Sequence, residues 1–158
     1  MRSLAIDNRL PKLFPMDSSR PLSVVIPAYN EEATLAGAVN RVLAVPYLRE
    51  IVIVDDCSRD RTRAIADQLA REHSEIRAVH HAENHGRTEA LKTGFALTQG
   101  DIVIVQDADL EYDPGEIVEV IAPILAGRAD VVYGSRFLVR KAARVLYFHH
   151  YMANCLPT

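Results

Sequence analysis

The chain has 158 residues, 49% hydrophobic and 25% charged, which suits one globular domain with a sizeable core. Its net charge of −3 gives no electrostatic reason to expect nucleic acid, and its two cysteines, Cys57 and Cys155, lack metal-ligand spacing and exclude a disulfide scaffold. No apolar run reaches the roughly 18–20 residues of a membrane span, and the N-terminal stretch, with Asp7 and scattered prolines, is not a secretory signal.

Residues 1–20 carry Pro11 and Pro15 without a sustained period and read as a partly disordered leader arm. Leu22–Ile26 is an apolar β-forming run stopped by Pro27, hence a buried first strand. Asn30 is placed to cap a helix, with Glu31 and Glu32 in its first turn and Leu35, Val39, Val42 and Leu43 as its apolar stripe. Pro46 ends it. Glu50–Val54 is a second strand, and Asp60 or Ser58 can cap a helix running to about Glu72. Ile76–His80 is a shorter third strand, followed by a turn at Asn84–Gly86. A helix from about Arg87 to Gln99 closes at Gly100, read as a C-cap. Asp101–Gln106 is the fourth strand. Asp113-Pro114 opens another helix, with Ile117, Val120, Ile121, Ile124 and Leu125 as its buried stripe and Gly127 at its end. Asp130–Tyr133 is predicted as a fifth strand, followed by Gly134-Ser135-Arg136.

Strands alternating with helices, and strands that are continuously apolar, predict a three-layer α/β/α domain with a mostly parallel sheet. Its span is residues 21–139. Residues 140–158 form a basic and then aromatic tail, with Lys141, Arg144, Tyr147, Phe148 and Tyr151. Such a tail either packs on the sheet edge or rests on a membrane surface.

In open parallel sheets, ligands bind outside the carboxyl ends of the strands. Four strand tips then gather at one edge: Pro27-Ala28-Tyr29-Asn30-Glu31, Asp55-Asp56, Asp107-Ala108-Asp109 and Gly134-Ser135-Arg136. A single Asp after a strand is most often a turn former. Four tips that bring acids, one aromatic and one arginine to one edge point to a site. Asp107 and Asp109, one residue apart at the end of an apolar strand, can offer oxygen ligands to a hard divalent cation. No Gly-rich phosphate loop follows the first strand. Phosphate charge would then be met by a metal together with Arg136, which suggests metal-assisted departure of a nucleotide diphosphate.

The four segments Val24–Glu32, Ile53–Thr62, Gln106–Pro114 and Val131–Phe137 together resemble the family-2 glycosyltransferases of GT-A fold, with the dolichol-phosphate mannose synthase and polyprenyl-phosphate branch as the nearest type. The resemblance runs from Leu22 to Met152. It implies a nucleotide diphosphate sugar donor, GDP- or UDP-linked, a divalent cation (Mg²⁺ or Mn²⁺), and inverting transfer of a hexose to an acceptor such as a polyprenyl phosphate. It implies that Pro27, Tyr29, Glu31, Val54 and Asp56 hold the base and ribose, with Ala108 beside the nucleotide. Asp107, Asp109 and Glu111 are the implied metal ligands, Arg136 lies near the diphosphate, and Asp109 and Arg136 are the implied catalytic residues. Asp55 is expected to shape its loop. A cytoplasmic protein, peripheral at the cytoplasmic membrane face, would fit that acceptor.

Two departures stand out. The loop that usually reads Asn-x-Gly-Lys-Gly is here Asn84-His85-Gly86-Arg87-Thr88-Glu89. Glu89 either faces the diphosphate and weakens donor binding or faces solvent. The family also continues into acceptor-side segments, so the chain is expected to be C-terminally truncated. The competing reading is therefore a non-catalytic nucleotide-binding or interaction module. A nucleotidyltransferase is a third, disfavoured because Pro27–Glu32 is neither Gly-rich nor basic. His80, His81 and His85 read as strand-end and loop residues rather than a zinc site, and Cys57 as a small packed residue.

Overall fold

The computed structural model describes residues 21–134. The leader arm 1–20, Arg136 and the tail 140–158 lie outside the described residues. The elements are β1 (Leu22–Ala28), α1 (Leu35–Leu43), β2 (Leu48–Asp55), α2 (Thr62–Glu72), β3 (Ile76–His80), α3 (Arg87–Leu97), β4 (Ile102–Val105), a 3₁₀ turn (Pro114–Glu116) and α4 (Ile117–Leu125).

The four strands form one parallel sheet in the order β3-β2-β1-β4. Residue periodicity explains the layers, because successive strand side chains point to opposite faces. Leu22, Val24, Ile26, Ile51 and Ile53 share one core with Leu35, Val39 and Val42 of α1, Ala66 and Leu69 of α2, and Ile117 and Ile121 of α4. Val52 and Val54 point the other way and pack with Ala90 of α3. Both faces are covered, which is why the strand sequences are apolar without alternation. The expected α/β/α layering is what the chain adopts.

Two glycines make opposite demands. A methyl group built on Gly94 of α3 would sit 2.3 Å from Val25 Cγ1, so the helix approaches β1 only because the side chain is missing. On Gly37 of α1 it would meet only Leu110, at 3.7 Å. Gly94→Ala is therefore expected to destabilise the fold by about 1–3 kcal/mol through overpacking. Gly37→Ala is expected to stabilise it by roughly 0.5–1 kcal/mol through helix propensity. Urea unfolding of the two variants checks both signs.

Several local expectations need correction. Asp130–Tyr133 is not a strand. Val131 and Tyr133 are 65% and 89% exposed, and β4 is an edge of the sheet among the described residues. Three β-formers without a pairing partner or a buried face do not make a strand. The first helix begins at Leu35, beyond the acids at Glu31 and Glu32, and Asn30 does not cap it. Asn30 instead adopts a left-handed backbone, φ 57°, and bonds across to the loop after β2. Gly100 is not a C-cap, since α3 ends at Leu97. A Cβ there would fall 2.4 Å from the Pro21 carbonyl oxygen and 2.6 Å from Ser23 Oγ. Gly100 is needed for close approach to β1, and its N–H donates to Ser23 Oγ at 2.8 Å.

Asp60 stands one residue before Arg61, the N-cap position of α2, and Asp113-Pro114 opens a 3₁₀ turn that leads into α4. Asp60 Oδ1 accepts the Thr62 N–H at 2.9 Å, and Asp113 accepts the Gly115 N–H at 3.0 Å, with Pro114 opening the turn.

Candidate donor-binding cleft

The strand order determines where a ligand can sit. β1 leads to β2 and β3 on one side, and the chain then crosses to β4 on the other side of β1. The loops after β1 and β4 therefore diverge, and the crevice between them is the switch point where open α/β sheets bind ligands. A cleft of about 440 Å³ opens there. It is lined by Pro27, Ala28, Tyr29 and Glu31 after β1, Asp56 after β2, Asn84, Gly86, Arg87 and Ala90 around the start of α3, and Asp107, Ala108 and Asp109 after β4.

The loop after β1 is zipped to the loop after β2. Asn30 N–H donates to Ser58 Oγ at 3.0 Å, and Asn30 Oδ1 accepts the Arg59 N–H at 2.8 Å. Glu31 N–H donates to Thr62 Oγ1 at 2.7 Å, and Glu32 N–H to Asp60 Oδ2 at 3.2 Å. These bonds fix the chain from Asn30 to Glu32, directly after Tyr29. Asn30, Cys57 and Leu110 each take a positive φ, at 57°, 62° and 63°. Non-glycine residues adopt that conformation at a cost, and such strain collects at ligand-binding loops.

Asp55 and Asp56 divide their work as expected for Asp55 and in an unforeseen way for Asp56. Asp55 is buried. It accepts the Ser58 N–H at 3.1 Å and faces His80 Nδ1 at 3.2 Å, while His80 Nε2 meets Asp67 at 2.8 Å. Asp56, 3% exposed, clamps the loop that precedes α3. Its Oδ1 accepts the His85 N–H at 3.0 Å and meets His81 Nδ1 at 2.7 Å, and its Oδ2 accepts the Gly86 N–H at 2.7 Å. A carboxylate only accepts, so His81 Nδ1 carries the proton. His81 Nε2 then meets Thr93 Oγ1 at 2.9 Å, tying the clamp to α3. Burial pushes the Asp56 carboxyl up, but the His85 N–H, His81 and the Gly86 N–H together outweigh it and hold it below the usual value.

After β4, Gln106 is buried and its amide donates to the carbonyls of Asp107 at 3.2 Å and Tyr112 at 3.4 Å, bracing the acidic loop from beneath. Asp107 Oδ1 receives Arg87 Nη2 at 2.5 Å. Asp109 Oδ1 accepts the Glu111 N–H at 3.0 Å. Glu111 is exposed and does not line the cleft, and among the described residues no three His, Cys, Asp or Glu side chains converge as a metal cluster. The oxygens of Asp107 and Asp109 nevertheless suit a hard cation, and Asp107 has already drawn a cationic group to itself.

Of the residues singled out in the sequence, the fold brings Pro27, Tyr29, Glu31, Asp56, Asp107, Ala108 and Asp109 to one cleft. Val54 lies fully buried beneath it, against Val52 and Ala90. Glu89 points outward, exposed and bonded to Lys92 at 2.6 Å, which with that lysine's charge lowers its carboxyl below the ordinary value. The sequence reading missed Asn84, Gly86, Arg87 and Ala90 as lining residues, and His81 and Thr93 as supports. Asn84-x-Gly86 ahead of a helix was the available signal.

Comparison with known proteins agrees with this geometry. Residues 23–154 match the model of glycosyl transferase family 2. An undecaprenyl-phosphate 4-deoxy-4-formamido-L-arabinose transferase of Pseudomonas aeruginosa is 41% identical over 126 residues, 77% of this chain and 36% of its own length. Glycosyltransferase AglD of Haloferax volcanii is 33% identical over 130 residues, 77% of this chain and 20% of its own. The chain thus spans about a third or less of the curated relatives it matches. Among solved structures, the mannosyltransferase PcManGT of Pyrobaculum calidifontis, in complex with GDP-Man and Mn²⁺, superposes with a TM-score of 0.59 at 26% identity, covering 72% of this chain and 36% of that one. Glucosyl-3-phosphoglycerate synthase of Mycobacterium tuberculosis, with Mn²⁺ and UDP, gives 0.56 at 30% identity over 67% of this chain and 40% of that one. The motifs at the strand tips, the switch-point cleft and these likenesses agree: the chain belongs to glycosyl transferase family 2.

Proposed function

We propose that this chain binds a nucleotide diphosphate sugar in the switch-point cleft and forms the donor half of a transferase that moves a hexose to a polyprenyl phosphate. The observation that carries the reading is the convergence of Tyr29, Glu31 and Asp56 with Asp107 and Asp109 around one cleft. Pro27, Tyr29 and Glu31 hold the base and ribose, with Val54 and Asp56 setting the wall behind them. The relatives named above for an undecaprenyl-phosphate transferase, and the neighbours solved with GDP-Man or UDP, favour this donor and acceptor class. Asp107 and Asp109 hold a divalent cation, Mg²⁺ or Mn²⁺, with Glu111 as a third ligand after a change in its loop. Such a cation would neutralise the departing diphosphate. Arg136 adds positive charge to the same group. A polyprenyl phosphate is already ionised, so the acceptor oxygen attacks the anomeric carbon without a strong base, and direct displacement inverts that centre.

No helix among the described residues is long and apolar enough to cross a membrane. Peripheral contact at the cytoplasmic face, through the basic-aromatic tail at 140–158, would bring the cleft to a lipid acceptor. Residues 21–139 serve as the donor-binding domain and 1–20 as a leader arm. The test is turnover by the purified chain. With Mn²⁺ present, donor hydrolysis or transfer to a short polyprenyl phosphate is expected, and Asp109→Ala should abolish it. Tight donor binding with no turnover of either kind would favour a non-catalytic nucleotide-binding module instead.

A further inference from the structure

The cleft carries a charge problem. Its described lining holds four carboxylates, Glu31, Asp56, Asp107 and Asp109, and one cation, Arg87. A diphosphate entering such a lining would meet net negative charge, which raises its free energy wherever water is displaced. Asp56 keeps its charge, but its oxygens are already committed to His81, His85 and Gly86 and are not open to a cation. Asp107 is held by Arg87, through a contact from Nη2 to Oδ1 at 2.5 Å.

Arg87 is the first residue of α3, and a positive side chain at a helix N-terminus opposes the helix dipole. Its side chain is 61% exposed against 22% for Asp107, so the guanidinium reaches in from solvent on a flexible stem. Gly86 has φ 83°, and its own N–H and that of His85 both donate to Asp56, which fixes the point from which that stem starts. Arg87 can therefore pivot within the cleft while its backbone stays in place.

We propose that Arg87 is a transferable clamp, paired with Asp107 while the cleft lacks a divalent cation and moving onto the donor's diphosphate once that cation takes Asp107. This rests on the donor-site reading above and adds a role for a residue outside the strand-tip motifs. A metal binding Asp107 must displace the guanidinium from Oδ1. The displaced cation then finds its best partner in the anionic diphosphate, which a planar guanidinium can hold through two parallel hydrogen bonds. Metal alone binds against the ion pair, and metal with nucleotide binds with a new one, so each ligand strengthens the other. Such coupling is reciprocal by thermodynamic necessity.

The experiment uses the 158-residue chain and its Arg87→Gln variant, with Mn²⁺ followed by electron paramagnetic resonance and GDP and UDP by calorimetry. Arg87→Gln is expected to bind Mn²⁺ alone about fivefold more tightly, the scale of one lost exposed ion pair. In saturating Mn²⁺ it should bind its preferred nucleoside diphosphate about tenfold more weakly, the scale of one lost charge-assisted hydrogen bond. Equal or weaker Mn²⁺ binding by the variant overturns the clamp, and so does unchanged diphosphate affinity. Because Arg87 is exposed, equal melting temperatures for the two chains are expected. If the wild-type chain binds neither Mn²⁺ nor nucleotide, the donor-site reading falls along with the clamp. If it binds both and Arg87→Gln matches it, only the clamp falls.

Discussion

Replacing Asp56 with Ala is expected to cost about 3 kcal/mol of stability, because two backbone N–H groups and one imidazole N–H lose a buried acceptor together. The effect should be local as well as global. Without the carboxylate, the Asn84–Gly86 turn loses the bonds that present Arg87 and Ala90 to the cleft, so nucleotide affinity should fall in the same variant. Hydrogen exchange at the His85 and Gly86 amides would register the loosening directly. The pH dependence has a definite sign. The folded Asp56 carboxyl lies below its unfolded value, so its contribution is fully present above the unfolded pKa of about 3.9 and is lost as pH falls through the folded one. The stability gap between wild type and Asp56→Ala should therefore be constant near neutrality and shrink below about pH 4. Denaturant titrations at neutral pH and at acid pH check that slope.

Asp107→Ala is expected to leave the fold intact and remove most metal-dependent nucleotide binding. Asp107 follows β4, is only partly exposed, and makes no contribution to either apolar core. Its proposed work is to hold the cation that meets the diphosphate. Losing that ligand should weaken nucleotide binding in Mn²⁺ by about 100-fold, which corresponds to about 2.7 kcal/mol. The same change frees Arg87 from its partner, so a small residual affinity should persist without metal. Calorimetric titration of the variant against wild type, with unfolding curves alongside, separates a binding defect from a folding defect.

The sheet was legible because burial leaves a plain mark on sequence. Val24–Ile26, Ile51–Val54 and Ile102–Val105 are apolar throughout; the central strands β1 and β2 are buried on both faces, while edge strand β4 is buried on the face that carries Ile102 and Ile104 and leaves Val103 exposed. Parallel strands then bring their carboxyl ends to one edge, so Tyr29, Asp56 and Asp107 could be placed together before any coordinates were known. Two kinds of feature escaped. One depends on pairing across the fold, as with Asp56 and His81, which lie 25 residues apart, or Gly100 against Ser23, 77 apart. Local pattern carries no information about such partners. The other depends on which of two local roles a residue takes. Asn30 has the chemistry of a helix cap and of a left-handed turn, and its bonds to Ser58 and Arg59 decide for the turn. Asp130–Tyr133 fails as a strand for a related reason: β-forming residues need a partner edge as well as propensity.

Arg87 shows why the loop after β3 matters more than its departure from the expected pattern suggested. Thr88 and Glu89 were the residues that differed, yet both are exposed on the outer side of α3, and Glu89 is occupied by Lys92. The residue that reaches the cleft is the arginine beside them.

The most direct measurement is a calorimetric titration of the chain with GDP and with UDP, each in Mn²⁺ and again in excess EDTA. Binding of at least one nucleotide in Mn²⁺ that weakens about 100-fold or more in EDTA is the expected result, since the metal supplies most of the charge that meets the diphosphate. Failure of both nucleotides to bind in Mn²⁺, or an affinity that EDTA leaves unchanged, would contradict a metal-dependent donor site between β1 and β4.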